Sequence, residues 1–251
     1  MVAIPMFNAS AENTTILLPI SNNLELSNQC IEHLIYNSPC NIIVLFDYYN
    51  SDDYIQNEKV TYVKNDSAKG LVNIWNKCIE ICPTENIILS GWRSRPTFDD
   101  FNIIFQKLNE GFGLVALKSL HFFAFSKFLM TKVGMFDTGF TTGQLEDTDF
   151  FNRCCIENIG IFVSNDMHEV IYPSTWLQNP EPNILYYKSK WKEDSPNLYQ
   201  LQLEKNYSDR TKYLNMYADR EYKTFEQSEL IEESVRNYFN KYFTNYIKLY
   251  N

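Results

Sequence analysis

No apolar run in the 251 residues approaches the length of about 20 that a membrane-spanning helix requires, so the sequence predicts no transmembrane segment. The opening stretch MVAIPMFNASAENTT lacks a basic start and a continuous apolar region. It makes a poor signal peptide, and the expected location is cytoplasmic. Cationic excess is lacking too, the formal net charge being −9. Nucleic-acid binding rests on cationic surface, so that class of partner is excluded for the protein as a whole. A local cationic pocket for a small anion is not. A disulfide framework is also missing. Among the six cysteines, Cys78 and Cys82 lie four apart on a predicted helix, adjacent Cys154 and Cys155 cannot face one partner, and Cys30 and Cys40 stand apart. The three histidines (His33, His121, His168) are scattered, so zinc-ligand spacing is not met. Buried free thiols in a reducing compartment are the expectation. No internal repeat or low-complexity tract occurs.

What is present is an alternation of strands and helices. TTILLPIS (Thr14 to Ser21) reads as a doubly covered strand, continuous and apolar. NNLELSNQCIEHLIYNS reads as a helix, and NIIVLFD (Asn41 to Asp47) as a second buried strand ending in the polar loop YYNSDD. A short strand KVTYVKN follows, then the helix AKGLVNIWNKCIEIC with Leu71, Ile74, Trp75, Cys78 and Ile79 at helical spacing, then the strand NIILS. This order predicts βαβ units and right-handed crossovers. In such sheets ligands bind beyond the carboxyl ends of the strands. Ser21, Asp47 to Asp52 and Gly91 to Arg95 are therefore expected on one rim. Further strands are predicted around Val115, at Phe122 to Phe125 and at GIFVS, with a helix near Phe128 to Val133. LEDTDFFNRCCIEN is a helix opening with Glu146, Asp147 and Asp149, where carboxylates suit the helix dipole.

Residues 14 to 175 resemble the GT-A fold of inverting, family 2-type glycosyltransferases, on four stretches in order. ILLPISNN is similar to the family's opening strand and turn, and VLFDYYNSDD to its strand and acidic loop for the nucleotide base. KGLVNIWNKCIEIC is similar to the helix carrying a Gly and an Asn near the nucleotide sugar. FFAFSKFLMTKVGMFDTGFTTGQLEDTDFFNR is similar to the aromatic strand, Gly-x-Phe-Asp turn and Glu-Asp-x-Asp helix. The resemblance implies an α/β, Rossmann-like mixed sheet flanked by helices, and transfer of a sugar from a nucleotide-diphosphate donor, such as a UDP-sugar, to a hydroxyl acceptor with inversion. Such transfer needs one carboxylate to deprotonate the attacking hydroxyl. The matching base is Asp147, with Glu146 orienting it or holding the acceptor; simple helix capping is the alternative for both. Asp47 matches the residue that accepts from the base, and Asp52 the acid closing that loop, where a turn residue would also serve. Gly70 and Asn76 match the sugar-side helix, although a glycine there also eases packing. His168 falls near a late metal ligand of some relatives, and a structural histidine is the other reading.

One departure stands out. Relatives end the fourth strand in an Asp-x-Asp motif that holds Mn²⁺ or Mg²⁺ against the diphosphate. Here the stretch reads Ser90-Gly91-Trp92-Arg93-Ser94, without the oxygen ligands a hard cation needs. Asp99 and Asp100 follow Pro96 and are expected in the first turn of the next helix, with Thr97 as its cap. Three readings stand open. Arg93 or Arg95 takes the metal's place as a diphosphate clamp, so that transfer needs no metal or depends on it weakly. Alternatively the donor site has decayed and the protein is a glycan-, nucleotide- or protein-binding relative. In the third, the arginines belong to a solvated loop. Residues 1 to 178 are expected to form the transferase domain and 179 to 251 a helical, Tyr-rich extension. Its stretch TFEQSELIEESVRNYFNKYFTNYIKLY has a broad apolar face for packing on the core or on a second subunit in a homodimer. Peripheral membrane contact is the alternative, since the acceptor could be lipid-linked as well as a glycan or a protein.

Overall fold

The computed structural model describes residues 8–20, 23–66, 70–117, 121–141, 145–156, 159–164, 169–170 and 181–191. Ser21, His168 and the C-terminal stretch beyond residue 191 lie outside the described residues, and with them the expectations attached to the tail.

Strand β1 (Thr14–Pro19) is buried throughout, as a central parallel strand must be. Helix α1 (Leu24–Asn37), capped by the Asn23 side chain accepting from the Leu26 N–H at 3.0 Å, leads to β2 (Asn41–Phe46). Then come β3 (Val60–Lys64), α2 (Leu71–Ile81) and β4 (Asn86–Ser90). A two-residue strand β5 (Ser94–Arg95) precedes α3 (Phe98–Asn109). Thr97 stands at the N-cap, as expected, and Asp100 Oδ2 reaches back to accept from the Thr97 N–H at 2.7 Å and from its hydroxyl at 3.0 Å. The chain continues through β6 (Leu114–Leu117), β7 (Phe122–Ser126), α4 (Lys127–Val133), α5 (Glu146–Ile156), β8 (Ile161–Ser164), β9 (Glu169–Val170) and α6 (Glu181–Trp191).

The main sheet has seven strands in the order β3-β2-β1-β4-β7-β6-β8. β1 to β4 pair in parallel, as do β6 and β8, while β7 is antiparallel to both β4 and β6. Alternate strand residues therefore feed two separate cores. Leu17, Ile87, Leu89, Phe123 and Phe125 pack with Val72 and Ile79 of α2, Met130 of α4 and Phe150 of α5. Ile16, Leu18, Ile88, Phe122 and Ala124 pack with Ile31 and Leu34 of α1 and Phe101 and Ile104 of α3. The result is a three-layer α/β/α arrangement. A second, two-stranded sheet joins β5 to β9, with Arg95 opposite Glu169. Neither partner of that small sheet was foreseen, because two residues carry no periodicity.

Cys30, Cys40, Cys78, Cys82 and Cys154 are free and buried, as expected. Burial pushes the Cys30 thiol up to about 12 against the nearby Arg95 charge, and the Cys40 thiol likewise to about 12. Such thiols are unreactive packing groups. Among the described residues no helix is long and apolar enough to cross a membrane.

Candidate functional site

The carboxyl ends of β1, β2, β3, β4, β6 and β8 share one edge, because β7 alone runs against them. The same reversal brings the start of β7, and so His121, to that edge. Helix α5 begins there too. Its far end leads through Gly160 to the amino end of β8, where the Gly160 carbonyl accepts from the Gly113 N–H at 2.9 Å. Its first turn must therefore stand at the rim.

The three acids of that turn have different fates. Asp149 is fully buried and pairs with Arg153 Nε at 3.0 Å, and Arg153 Nη1 also donates to the Val133 carbonyl, tying α5 to α4. Glu146 is buried. Asp147 alone of the three keeps partial exposure. Its Oδ1 accepts from the Thr148 N–H at 2.7 Å and from the Thr148 hydroxyl at 3.3 Å. Burial holds the Asp147 carboxyl above the ordinary carboxylate range, overcoming the opposing pull of those hydrogen bonds. Leu145, just before it, has φ 68, a left-handed conformation that a branched side chain rarely adopts. Strain of that kind concentrates at functional turns.

Gly70 lies against Thr141, in the loop that precedes α5. It caps α2 with φ 82, and a Cβ added there would sit 3.4 Å from the Thr141 carbonyl. The backbone conformation calls for glycine, whereas the neighbouring carbonyl lies at ordinary contact distance. Asn76, expected near the nucleotide sugar, has other partners. It is 1% exposed, its Nδ2 donates to the Phe136 carbonyl at 2.8 Å, and its Oδ1 accepts from the Phe136 N–H at 3.0 Å. It therefore splints α2 to the Gly-Met-Phe-Asp turn that leads to α5.

Asp47 and Asp52 are exposed on the loop after β2, and Asp52 Oδ1 accepts from the Ser51 hydroxyl at 3.3 Å. Asp53 instead caps the short 3₁₀ turn Ser51–Asp53 by accepting from the Asn50 N–H at 2.9 Å. Beneath the loop, Tyr54 stacks on Tyr62 at 5.5 Å and meets Phe46 at 5.5 Å. Burial raises both tyrosine hydroxyls to about 12, so they stay neutral.

The two arginines after β4 part company. Arg93 is half-buried with its guanidinium 4.7 Å from the Trp92 ring centroid, a cation–π arrangement. Arg95 is 8% exposed, and its Nη1 donates to the carbonyls of Trp92 at 3.2 Å and Ser94 at 2.9 Å. It packs beside Cys30 of α1, whose Sγ reaches the Ser94 carbonyl at 3.6 Å. The described residues at this strand end do not suit a hard divalent cation. The stretch Ser90-Gly91-Trp92-Arg93-Ser94 carries no carboxylate, and no group of three or more His, Cys, Asp or Glu among the described residues could hold a metal.

Sequence reasoning missed one feature of the site. His121 reaches the rim only because β7 is antiparallel, a direction that composition does not announce. Helix α6 closes on the loop before α5: Asn183 Oδ1 accepts from the Thr141 N–H at 3.0 Å, and the Tyr186 hydroxyl donates to Asp137 Oδ2 at 2.9 Å.

Neither a protein-family profile nor a curated protein matches the sequence. Among solved structures, the mannosyltransferase PcManGT from Pyrobaculum calidifontis, in complex with GDP-Man and Mn²⁺, is similar with a TM-score of 0.56 and 11% identity. The match covers 92% of this chain and 81% of that one. At that identity the likeness is one of fold: the chain has a GT-A-like, Rossmann-related architecture.

Proposed function

We propose that the protein is a family 2-like glycosyltransferase that moves a sugar from a nucleotide-diphosphate donor to a hydroxyl acceptor with inversion. The observation that carries this reading is Asp147. It is the one first-turn acid of α5 left partly exposed at the rim, and burial has raised its proton affinity. A carboxylate so placed can accept the acceptor's proton as the hydroxyl attacks the sugar's anomeric carbon, and a raised pKa brings it nearer the working pH. Glu146 supports it from the buried side of the same turn. Asp47 and Asp52 receive the nucleotide base, and the backbone at Gly70 approaches the sugar while Asn76 holds the turn behind it. Ser21, which follows β1 in the sequence, is included among the donor-binding residues of this proposal.

Arg93 takes the diphosphate and supplies the positive charge that relatives obtain from a metal. Arg95 supports this role from below by holding the turn through the Trp92 and Ser94 carbonyls. The carboxylate-free end of β4 also favours a second reading, a GT-A-like protein that binds nucleotide or glycan without turnover.

One experiment separates them: incubation with a panel of nucleotide sugars and simple hydroxyl acceptors, in EDTA and in Mn²⁺. Donor hydrolysis or transfer that persists in EDTA is the expected result. Binding without turnover under both conditions would favour the second reading, and strict dependence on Mn²⁺ would overturn the role given to Arg93.

A further inference from the structure

His121 is fixed to the arginine turn at two points. Its carbonyl accepts from the Gly91 N–H at 2.7 Å and from the Ser94 hydroxyl at 2.8 Å. The approach is close enough that a Cβ at Gly91 would fall 3.2 Å from that carbonyl oxygen. The start of β7 and the turn after β4 are thus one rigid unit, also joined by the pairing of Ser90 with Phe122. On this unit sit two half-buried groups able to carry positive charge, the Arg93 guanidinium over Trp92 and the His121 imidazole. The Arg93 charge acts on the ring, whereas the Gly91 and Ser94 contacts are to the His121 carbonyl. Burial first, and the Arg93 charge second, hold the imidazole below its ordinary value, so it is neutral in the empty protein near pH 7.

We propose that His121 is a second diphosphate-binding group beside Arg93, and that it takes a proton from water as the donor arrives. The inference rests on the donor-site reading above. Its physical basis is that a diphosphate reverses the second of the two effects that keep the ring neutral. Two negative charges offset the Arg93 repulsion and offer acceptor oxygens to a ring N–H, which favours imidazolium. One N–H bond forms, water supplies the proton, and no other bond changes. The site would thus carry one fixed and one inducible positive charge.

The sign follows from linkage. Bound donor raises the proton affinity of His121, so affinity is highest at low pH and falls as pH rises between the free and bound values of the ring, by up to about tenfold per pH unit. Nucleotide sugars are suitable probes because both phosphates are esterified and do not titrate in this range. UDP-glucose and GDP-Man would be titrated calorimetrically at pH 6 to 8 in buffers of different ionisation enthalpy. The expected result is uptake of a fraction of a proton, up to about one per site, with affinity falling as pH rises. In His121→Gln the uptake should vanish while weaker, pH-independent binding remains. Wild-type binding without proton uptake, or uptake that survives in His121→Gln, would overturn the inference and leave the donor site standing. If neither nucleotide sugar binds at any pH, the donor-site reading falls and this inference with it.

Discussion

The Tyr186 ring of α6 covers the α-carbon of Gly139 so closely that a Cβ added there would lie well inside 3.0 Å of the ring. The ring cannot easily retreat. Its hydroxyl is bonded to Asp137 at 2.9 Å, the Gly139 N–H donates to the same carboxylate at 2.9 Å, and Phe140 meets the ring edge-on at 4.9 Å. Gly139→Ala should therefore push α6 off the loop and cost roughly 1–3 kcal/mol, the usual range for overpacking. Urea unfolding gives the energy, and hydrogen exchange across 181–191 gives the place. Unchanged protection in α6 would show that the ring yields without releasing the helix.

Asn76→Ala tests whether that side chain splints the fold or touches the donor. The substitution leaves the Phe136 N–H and carbonyl without their partner in a buried setting, at about 1–3 kcal/mol for each group left unsatisfied. The expected outcome is a clear loss of thermal stability, with nucleotide-sugar affinity per folded molecule little changed. A stable variant that binds donor poorly would return Asn76 to the sugar side.

Arg93→Ala and Arg95→Ala should fail in different ways. Arg93 sits half-buried over Trp92 at the rim, so its loss should weaken donor binding by about tenfold to a hundredfold with little effect on unfolding. Arg95 bonds two carbonyls of its own turn from a buried position, so its loss should lower stability by about 1–3 kcal/mol. Calorimetric titration and thermal melts on the pair decide it. Equal losses of affinity in both variants would mean that the turn acts as one unit.

Much of this architecture was legible because local rules and tertiary packing agree. The buried runs at Ile16 to Leu18 and Ile87 to Leu89 could only be central strands, and Thr97 announced the start of α3 as its cap. The site was less legible. Arg93 and Arg95 are near neighbours in sequence, yet one faces the rim and the other a buried thiol, which depends on a β5–β9 pairing with no signature of its own. Asn76 reads as a ligand-binding amide until Phe136 is seen 60 residues along the chain, bonded to both its polar atoms. The three acids Glu146, Asp147 and Asp149 look alike in sequence, and only Arg153 one turn on marks Asp149 as a structural partner.

Asp147→Asn should separate catalysis from stability. As a base, Asp147 must be ionised, so transfer by the wild type should rise with pH through a value above the ordinary carboxylate range of about 4. In the variant transfer should disappear while donor binding stays, because the amide cannot take the acceptor's proton. The stability effect has the opposite sign. A carboxyl whose proton affinity is raised by folding binds more protons folded than unfolded, so its contribution falls as pH rises through that window and is unfavourable at pH 7. Asparagine can still accept the Thr148 hydrogen bonds through its own Oδ1, and it carries no charge to bury. Asp147→Asn should therefore melt at a higher temperature than the wild type at pH 7, and the gap should close as pH falls below 4 or so, where the wild-type carboxyl is itself protonated. Thermal melts from pH 3 to 8 and a transfer assay on the same samples measure both. A variant that is inactive yet less stable at pH 7 would mean that the carboxylate is held by the fold and not merely tolerated by it, and full activity would remove Asp147 from the reaction altogether.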